Sequence, residues 1–165
     1  MDALNAVEAD AAAAMIHPCC ASTAWARAVV AGRPYKDLDE VIAASDPVFK
    51  DLSWADVEEA LAAHPRIGDR PKIAVSTEKR WSRGEQAGIA DADQEVLTAL
   101  ADGNAVYEAR FGHVYLVCAS GRSAEELLGI LQDRLDNDPA HERDMVRDEL
   151  AAITRLRLTK LLGTP

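Results

Sequence analysis

The sequence predicts an all-α protein, and three observations support this class. Alanine, the best helix former, is abundant, whereas aromatic residues make up only 5% of the 165 residues. Runs of β-branched and aromatic residues suited to strands are scarce. Helix-start and helix-stop signals recur along the whole chain. We therefore predict a single-domain helical bundle of about seven to nine helices with one short extended, buried crossing segment.

Four helices are expected in the first part of the chain. They are an alanine-rich helix over residues 3–15 that stops at His17-Pro18, a helix over Ser22–Ala31 that stops at Gly32, a helix capped by Asp37 with Glu40, and a helix opened by Ser53 and Asp56. In the fourth helix, Val57, Leu61 and His64 share one stripe, and Pro65 should end the helix directly after His64.

The second part of the chain is expected to hold a loop, further helices and the crossing segment. We predict a loop over residues 66–75, a helix over 77–87 interrupted at Gly84, and a helix over 93–110 with Val96, Leu100 and Tyr107 buried. The crossing is expected at 114–119. After it we predict a helix that the capping box Ser123/Glu126 opens, with Leu127, Leu131 and Leu135 on one face, and a last helix over 140–162. The last helix places Arg157 within the apolar stripe of Val146, Leu150, Ile153 and Leu161.

Charge and composition exclude several classes of protein. The net charge of −10 and the pI near 4.8 argue against a surface for nucleic acid or anionic membranes, because phosphates would be repelled. No apolar run approaches the roughly eighteen residues that span a bilayer. The acidic start lacks the basic region of a signal peptide, so we expect a cytoplasmic protein with its three cysteines reduced.

Sequence motifs for cofactors and metals are also missing. The four histidines lack the spacing of metal ligands, and the chain contains no phosphate-binding glycine loop, dinucleotide fingerprint or nucleophile elbow. Cys118 lies in an apolar run and is better explained by packing than as a nucleophile. The pattern indicates chemistry without a cofactor or metal, or no chemistry.

Three candidates for chemistry remain, each with a structural alternative. His64, at a helix C-terminus, could donate a proton, or it could be a core histidine bonded to a backbone carbonyl. Arg157 needs an anion, which could be an internal acid or a substrate carboxylate, unless its side chain reaches solvent. Glu85 and Gln86 form a polar cluster with Ser82, or they could belong to a solvated helix face.

Together these motifs are more specific than each one alone. In order along the chain they are His64-Pro65-Arg66-Ile67-Gly68, Ser82-Arg83-Gly84-Glu85-Gln86-Ala87-Gly88, Asn104-Ala105-Val106-Tyr107-Glu108-Ala109-Arg110-Phe111-Gly112 and Leu156-Arg157-Leu158. Their order and spacing resemble the 2-oxo-4-hydroxy-4-carboxy-5-ureidoimidazoline (OHCU) decarboxylases of urate breakdown. The resemblance extends from about residue 18 to residue 162 and includes Trp25 and Arg33-Pro34.

The resemblance implies a helical bundle, a homodimer, and cofactor-free decarboxylation of the small molecule OHCU to (S)-allantoin. His64 would be the proton-transferring residue and Glu85 the second catalytic residue. The resemblance further implies the substrate-binding residues Pro65, Ser82, Gln86, Val117, Ala119, Gly121 and Arg157, with those from Val117 to Gly121 acting through their backbone.

The chain departs from the common family pattern in the crossing region. It has Phe111-Gly112-His113-Val114-Tyr115 where many members have Phe-Gly-Phe-Pro-Phe, and Ser120 where many have arginine. The resemblance therefore says least about which contacts the crossing makes with a substrate. A competing hypothesis is a non-catalytic helical interaction domain. A metal hydrolase is a third possibility, which chelators would inhibit.

Overall fold

The helices fall into two compact units. The computed structural model describes residues 1–68, 81, 84–89 and 92–163. The first unit comprises residues 1–62 and those from Leu150 onward, and the second comprises residues 63–149. In the described residues the α-helices are α1 (Asp2–Ala6), α2 (Ala9–Cys20), α3 (Thr23–Ala31), α4 (Leu38–Asp51), α5 (Trp54–Ala62), α6 (Gln94–Phe111), α7 (Ala124–Leu135) and α8 (Pro139–Leu162).

The all-α prediction is confirmed. No strand occurs in the part of the chain that the structure describes, and the helix count falls within the predicted range. None of the described helices is long and apolar enough to cross a membrane. A single domain stays a prediction.

Helix starts follow the capping residues that the sequence indicates. Asp37 Oδ1 accepts a hydrogen bond from the Glu40 backbone N–H at 3.0 Å at the start of α4. Ser123 and Glu126 form the reciprocal capping box of α7. Each cap satisfies backbone donors that a helix start otherwise leaves unpaired, which explains why these starts were predictable.

The N-terminal helix prediction over residues 3–15 is right at its start but wrong in its middle and at its C-terminal end. The chain breaks at Val7, whose backbone is extended, and α2 then continues through Pro18 to Cys20. Arg33 Nη1 donates to the carbonyls of Leu4 and Val7 at 2.6 and 2.8 Å, so a distant side chain stabilises the break. Pro18 is tolerated because it lies in the last turn of α2 and removes only one backbone donor.

The first unit has a core centred on Trp25. Its ring stacks on Phe49 with centroids 6.3 Å apart, and its Nε1 donates to Ser45 Oγ at 3.0 Å. The C-terminal part of α8 is tied to α4 by an ion pair between Arg155 and Asp46, with Nη2 and Oδ2 2.7 Å apart. These contacts fix the half of α8 that carries Arg157.

The second unit has a core that collects residues from several loops as well as helices. One buried cluster joins α6 and α7 to Ile67, Ile89 and residues of the crossing, and so brings a loop, a 3₁₀ turn and the crossing together. The cluster consists of Ile67, Ile89, Leu100, Tyr107, Tyr115, Val117, Ala119, Ala124, Leu127 and Leu131. The predicted crossing at 114–119 is non-helical, and Tyr115, Leu116, Val117 and Ala119 within it are buried.

A buried ionic network anchors the crossing. Arg134 Nη1 donates to the Leu116 carbonyl at 2.6 Å, and Arg134 Nε donates to Glu142 Oε1 at 2.9 Å. Tyr107 also donates its hydroxyl to Glu142, and Asn137 Nδ2 donates to Glu142 Oε2 at 2.8 Å. Since the charges of Arg134 and Glu142 are 3% and 0% exposed, loss of either partner would leave a costly buried charge.

Candidate active site

His64 lies in a loop, which corrects the predicted end of its helix. Helix α5 ends at Ala62, and His64 forms a bend two residues further on. The cause is Pro65, which disfavours helical backbone in the residue before it, so the helix ends earlier than the apolar stripe suggested. His64 is only 8% exposed, and Pro65 is half-buried.

Two residues of α6 hold the loop that follows His64. Asn104 Nδ2 donates to the Ile67 carbonyl at 2.9 Å. Arg66 donates through Nε and Nη2 to the two carboxylate oxygens of Glu108, a bidentate pair with Nη2 2.7 Å from Oε2. These hydrogen bonds lower the pKa of Glu108 below its ordinary value, with the nearby guanidinium charge adding to the effect. The loop is therefore anchored to α6 at Arg66 and at the Ile67 carbonyl.

Glu85 and Gln86 lie on a short segment that is joined to this loop. Gly84 and Glu85 are helical, and a 3₁₀ turn follows at Ala87–Ile89. Gln86 Oε1 accepts a hydrogen bond from the Gly68 backbone N–H at 3.1 Å. Glu85 is 7% exposed, so the alternative of a solvated helix face is wrong for its carboxylate.

The crossing ends in a turn that packs against the same segment. The Arg122 N–H donates to the Ala119 carbonyl at 3.1 Å, and Gly121 has a φ of +79°, which favours glycine. A Cβ on Gly88 would lie 2.3 Å from the Arg122 carbonyl oxygen, so only glycine allows this close approach. The segment of Glu85 and the turn over 119–122 are thus in direct contact.

The crossing backbone is further fixed by a carboxylate from α8. Glu149 Oε2 accepts a hydrogen bond from the Cys118 N–H at 2.7 Å. Val117 and Ala119 are buried on either side of Cys118, while Ser120 and Gly121 are exposed. The exposed end of the crossing leaves its backbone groups accessible to a ligand.

The structure brings most of the predicted site residues into one unit. His64, Pro65, Glu85, Gln86 and the stretch from Val117 to Gly121 belong to the second unit, where the contacts above connect their segments. A histidine and a carboxylate can transfer protons, and the backbone amides of the crossing can bind a polar ring. Ser82 lies outside the described residues.

Arg157 belongs to the first unit, and its predicted burial is confirmed. Its side chain is 0% exposed on α8, which excludes the alternative that it reaches solvent. Burial raises the pKa of the neighbouring Cys20 thiol, and the positive charge of Arg157 offsets a small part of this effect.

The sequence interpretation gave no separate role to Asn104, whose side chain contacts the loop that follows His64. This asparagine is 2% exposed and lies on α6 four residues after Leu100 and three before Tyr107, which places it on the buried stripe. A polar side chain on that stripe was the available signal. Arg134 and Glu142 were missed as well, because their pairing joins two different helices.

We expect the cysteines to be dispensable for activity. Burial raises the pKa of Cys20 to about 12, and burial also raises the pKa of Cys118, so both thiols are protonated near neutral pH. Cys118→Ala keeps the backbone donors of the crossing and should retain kcat within about twofold. Cys19→Ser should also remain active. Steady-state kinetics with thermal unfolding as a control checks both, and inactive but stable variants would point to thiol chemistry.

The all-α fold and the buried side chains of His64 and Glu85, on segments joined by the bond between Gly68 and Gln86, are first of all typical of an enzyme that transfers protons. Comparison with known proteins then identifies the family. The sequence model of the OHCU decarboxylases matches residues 5–159, and the chain belongs to this family of carboxy-lyases.

Individual relatives agree with the family assignment. The chain is 33% identical over 147 residues to the uric acid degradation bifunctional protein TTL of Arabidopsis thaliana, which covers 88% of this chain but only 45% of that protein. It is 33% identical over 144 residues to the 2-oxo-4-hydroxy-4-carboxy-5-ureidoimidazoline decarboxylase of Amia calva, covering 85% of this chain and 81% of that one. The chain thus spans less than half the length of the plant relative.

A solved structure has the same fold. The crystal structure of OHCU decarboxylase in the presence of (S)-allantoin superposes with a TM-score of 0.76 at 30% sequence identity. The match covers 96% of this chain and all of the solved one.

Proposed function

We propose that this protein decarboxylates OHCU to (S)-allantoin in urate breakdown. One observation carries the proposal: in a chain of the OHCU decarboxylase family, buried His64 and Glu85 lie on segments that the hydrogen bond between Gly68 and Gln86 connects. The similar structure solved in the presence of (S)-allantoin supports the same product.

The substrate explains why the reaction needs no cofactor. Its carboxylate is attached to a ring carbon next to a C=N bond, so the electron pair left by departing CO₂ can move into that imine. The imine nitrogen takes up a proton as it receives these electrons. The ring hydroxyl then loses its proton to become a carbonyl and the former imine carbon receives a proton, so that in total one proton replaces CO₂. The protein has only to orient the ring, stabilise the developing charge and deliver that proton to one face.

The residues of the second unit suit these tasks. His64 would supply or relay the proton. Glu85 would accept hydrogen bonds from the substrate hydroxyl or ureido N–H groups. Because Gln86 Oε1 already accepts from Gly68, its amide N–H₂ is the part that would donate to the substrate. Backbone N–H groups from Ala119 to Gly121 would bind ring oxygens, with Pro65, Val117 and Ser82 completing the pocket.

A direct assay tests this proposal. Purified protein is mixed with freshly generated OHCU, and (S)-allantoin is followed by circular dichroism. Formation of the chiral product well above the uncatalysed rate supports the function. A rate equal to that of buffer would favour the helical interaction domain, and loss of activity with a chelator would favour a metal enzyme.

Further proposals concern the assembly and its location. We propose a homodimer that acts in the cytoplasm on a small-molecule substrate, without nucleic acid or a membrane as partner. Light scattering coupled to gel filtration tests the oligomeric state, since a dimer has twice the 17.8 kDa of one chain.

We expect Arg157 variants to lose activity without losing the fold. Arg157 would balance the negative charge of the substrate, and its planar fork suits bidentate pairing with a carboxylate. Arg157→Lys keeps the charge but loses the fork, so kcat/KM should fall about tenfold. Arg157→Met should lose more activity, yet its thermal stability should be equal or higher, because an apolar side chain replaces a buried charge.

Steady-state kinetics and thermal melts of both variants measure the two effects separately. Arg155→Met is the matched control, because this arginine of α8 is exposed and pairs with Asp46 at the surface. Full activity of Arg157→Met would make Arg157 a structural residue.

A further inference from the structure

The loop between His64 and Gly68 has no helix or strand of its own to hold it. Backbone groups in such a loop must be paired by side chains or by water. The structure shows two side chains that form hydrogen bonds with backbone groups at the end of this loop. Asn104 Nδ2 donates to the Ile67 carbonyl at 2.9 Å, and Gln86 Oε1 accepts from the Gly68 N–H at 3.1 Å.

Asn104 is the more deeply placed of these two side chains. It is 2% exposed, whereas Gln86 is half-buried. The bidentate pair between Arg66 and Glu108 lies at the surface, with the Arg66 side chain 53% exposed, so solvent weakens its hold. Asn104 therefore provides a buried contact that fixes the loop to α6.

An asparagine at position 104 stabilises the fold less than an apolar residue of similar shape would. Among the described residues, its Oδ1 is buried and has no hydrogen-bond partner. A buried acceptor without a partner is unfavourable, and an apolar residue of similar shape at this position of α6 would avoid that cost. Leu100 and Tyr107 on the same stripe show that the surroundings accept apolar and aromatic side chains.

We infer that Asn104 is a positioning residue for the reaction. Through the Ile67 carbonyl it sets the path of the loop and thereby the place of the His64 ring, three residues earlier. The inference rests on the proposed function for its effect on turnover, but its effect on the loop can be measured independently. Proton transfer depends on the reacting atoms being held in hydrogen-bond reach, so a small displacement of His64 lowers kcat.

Two variants remove the bond in different ways. Asn104→Leu removes both the donor and the unpartnered acceptor and keeps the number and branching of the side-chain heavy atoms. Asn104→Asp keeps the shape but turns a carboxylate oxygen toward the Ile67 carbonyl, which repels it. Thr98→Val is the matched control, because it removes a side-chain bond to a backbone carbonyl, that of Gln94, on the exposed face of α6.

Two readouts decide the inference. We expect kcat for OHCU to fall at least about tenfold in both Asn104 variants with KM changed less than about threefold, as for a residue that aligns the chemistry. Hydrogen exchange of the Gly68 amide should be at least about tenfold faster, because the loop opens more often. The melting temperature of Asn104→Leu should stay within about 4 °C of the wild type, and Thr98→Val should change neither readout.

The outcomes separate this inference from the proposed function. Wild-type kcat in Asn104→Leu, or unchanged exchange at Gly68, would overturn it. Loss of the folded state in both variants would overturn it too, since Asn104 would then hold the core rather than the loop. If wild-type protein does not turn over OHCU but exchange at Gly68 still rises, the proposed function fails while the placement of the loop by Asn104 stands.

Discussion

His64→Ala should lower kcat by roughly 10²- to 10⁴-fold, the usual effect of removing a general acid or base. The helical fold should persist, because His64 lies beyond the end of α5 and contributes no helical turn. The side chain is nearly buried, so its removal leaves a small cavity and some loss of stability. We expect KM to change less than kcat, since substrate contacts from other residues remain.

The measurement is steady-state kinetics on OHCU combined with far-UV circular dichroism and a thermal melt. His141→Ala is the control, because this histidine is exposed near the start of α8 and should have wild-type kinetics when replaced. His113→Ala is a second comparison, since the His113 ring packs edge-on against Tyr107 with centroids 5.5 Å apart. A well-folded His64→Ala protein with near wild-type turnover would exclude the proposed proton transfer.

The helices could be predicted well where local chemistry determines them. The cap at Asp37, the capping box at Ser123 and the burial of Arg157 in the stripe of α8 all depend on residues within one or two turns of each other. Such short-range patterns can be recognised in a sequence because the spacing alone decides which groups meet.

The wrong boundaries arise from contacts between distant residues. The break after α1 is stabilised by Arg33, which lies 29 residues beyond Leu4 in the chain. The end of α5 reflects a conflict in which the apolar stripe continues to His64 while Pro65 disfavours helical backbone there. The proline constraint prevails because it is steric, whereas the stripe is only a packing preference.

The candidate site could be predicted in its residues but not in its geometry. The motifs identify His64, Glu85 and Gln86, yet their spacing cannot show that Gln86 bonds to Gly68 or that Gly88 packs against Arg122. Those contacts join residues that are 18 and 34 positions apart, and only the packing of the second unit creates them. Asn104 shows that a polar residue on a buried stripe is a useful signal of such a contact.

Glu85→Gln is the variant with the second-largest expected effect. The substitution keeps the size of the side chain but removes the negative charge and replaces one acceptor oxygen by a donor. If Glu85 accepts hydrogen bonds from the substrate hydroxyl or ureido groups, the amide presents a donor to a donor. We expect kcat/KM to fall about 100-fold, with a lower kcat and a higher KM, because the contact exists both in the bound substrate and during the reaction.

Cys118 reports whether the charge of Glu85 was removed in a folded site. Burial is the main cause of the raised pKa of the Cys118 thiol, and the negative charges of Glu149 and Glu85 raise it further. Loss of the Glu85 charge must therefore lower this pKa, so Cys118 should react faster with iodoacetamide at a fixed pH near 8.

Cys19 and Cys20 are fully buried and should not contribute in the native state. Glu95→Gln, an exposed substitution in the first turn of α6, should change neither the alkylation rate nor kcat/KM. Faster alkylation with wild-type kcat/KM in Glu85→Gln would show that the carboxylate lies beside the crossing but takes no part in the reaction.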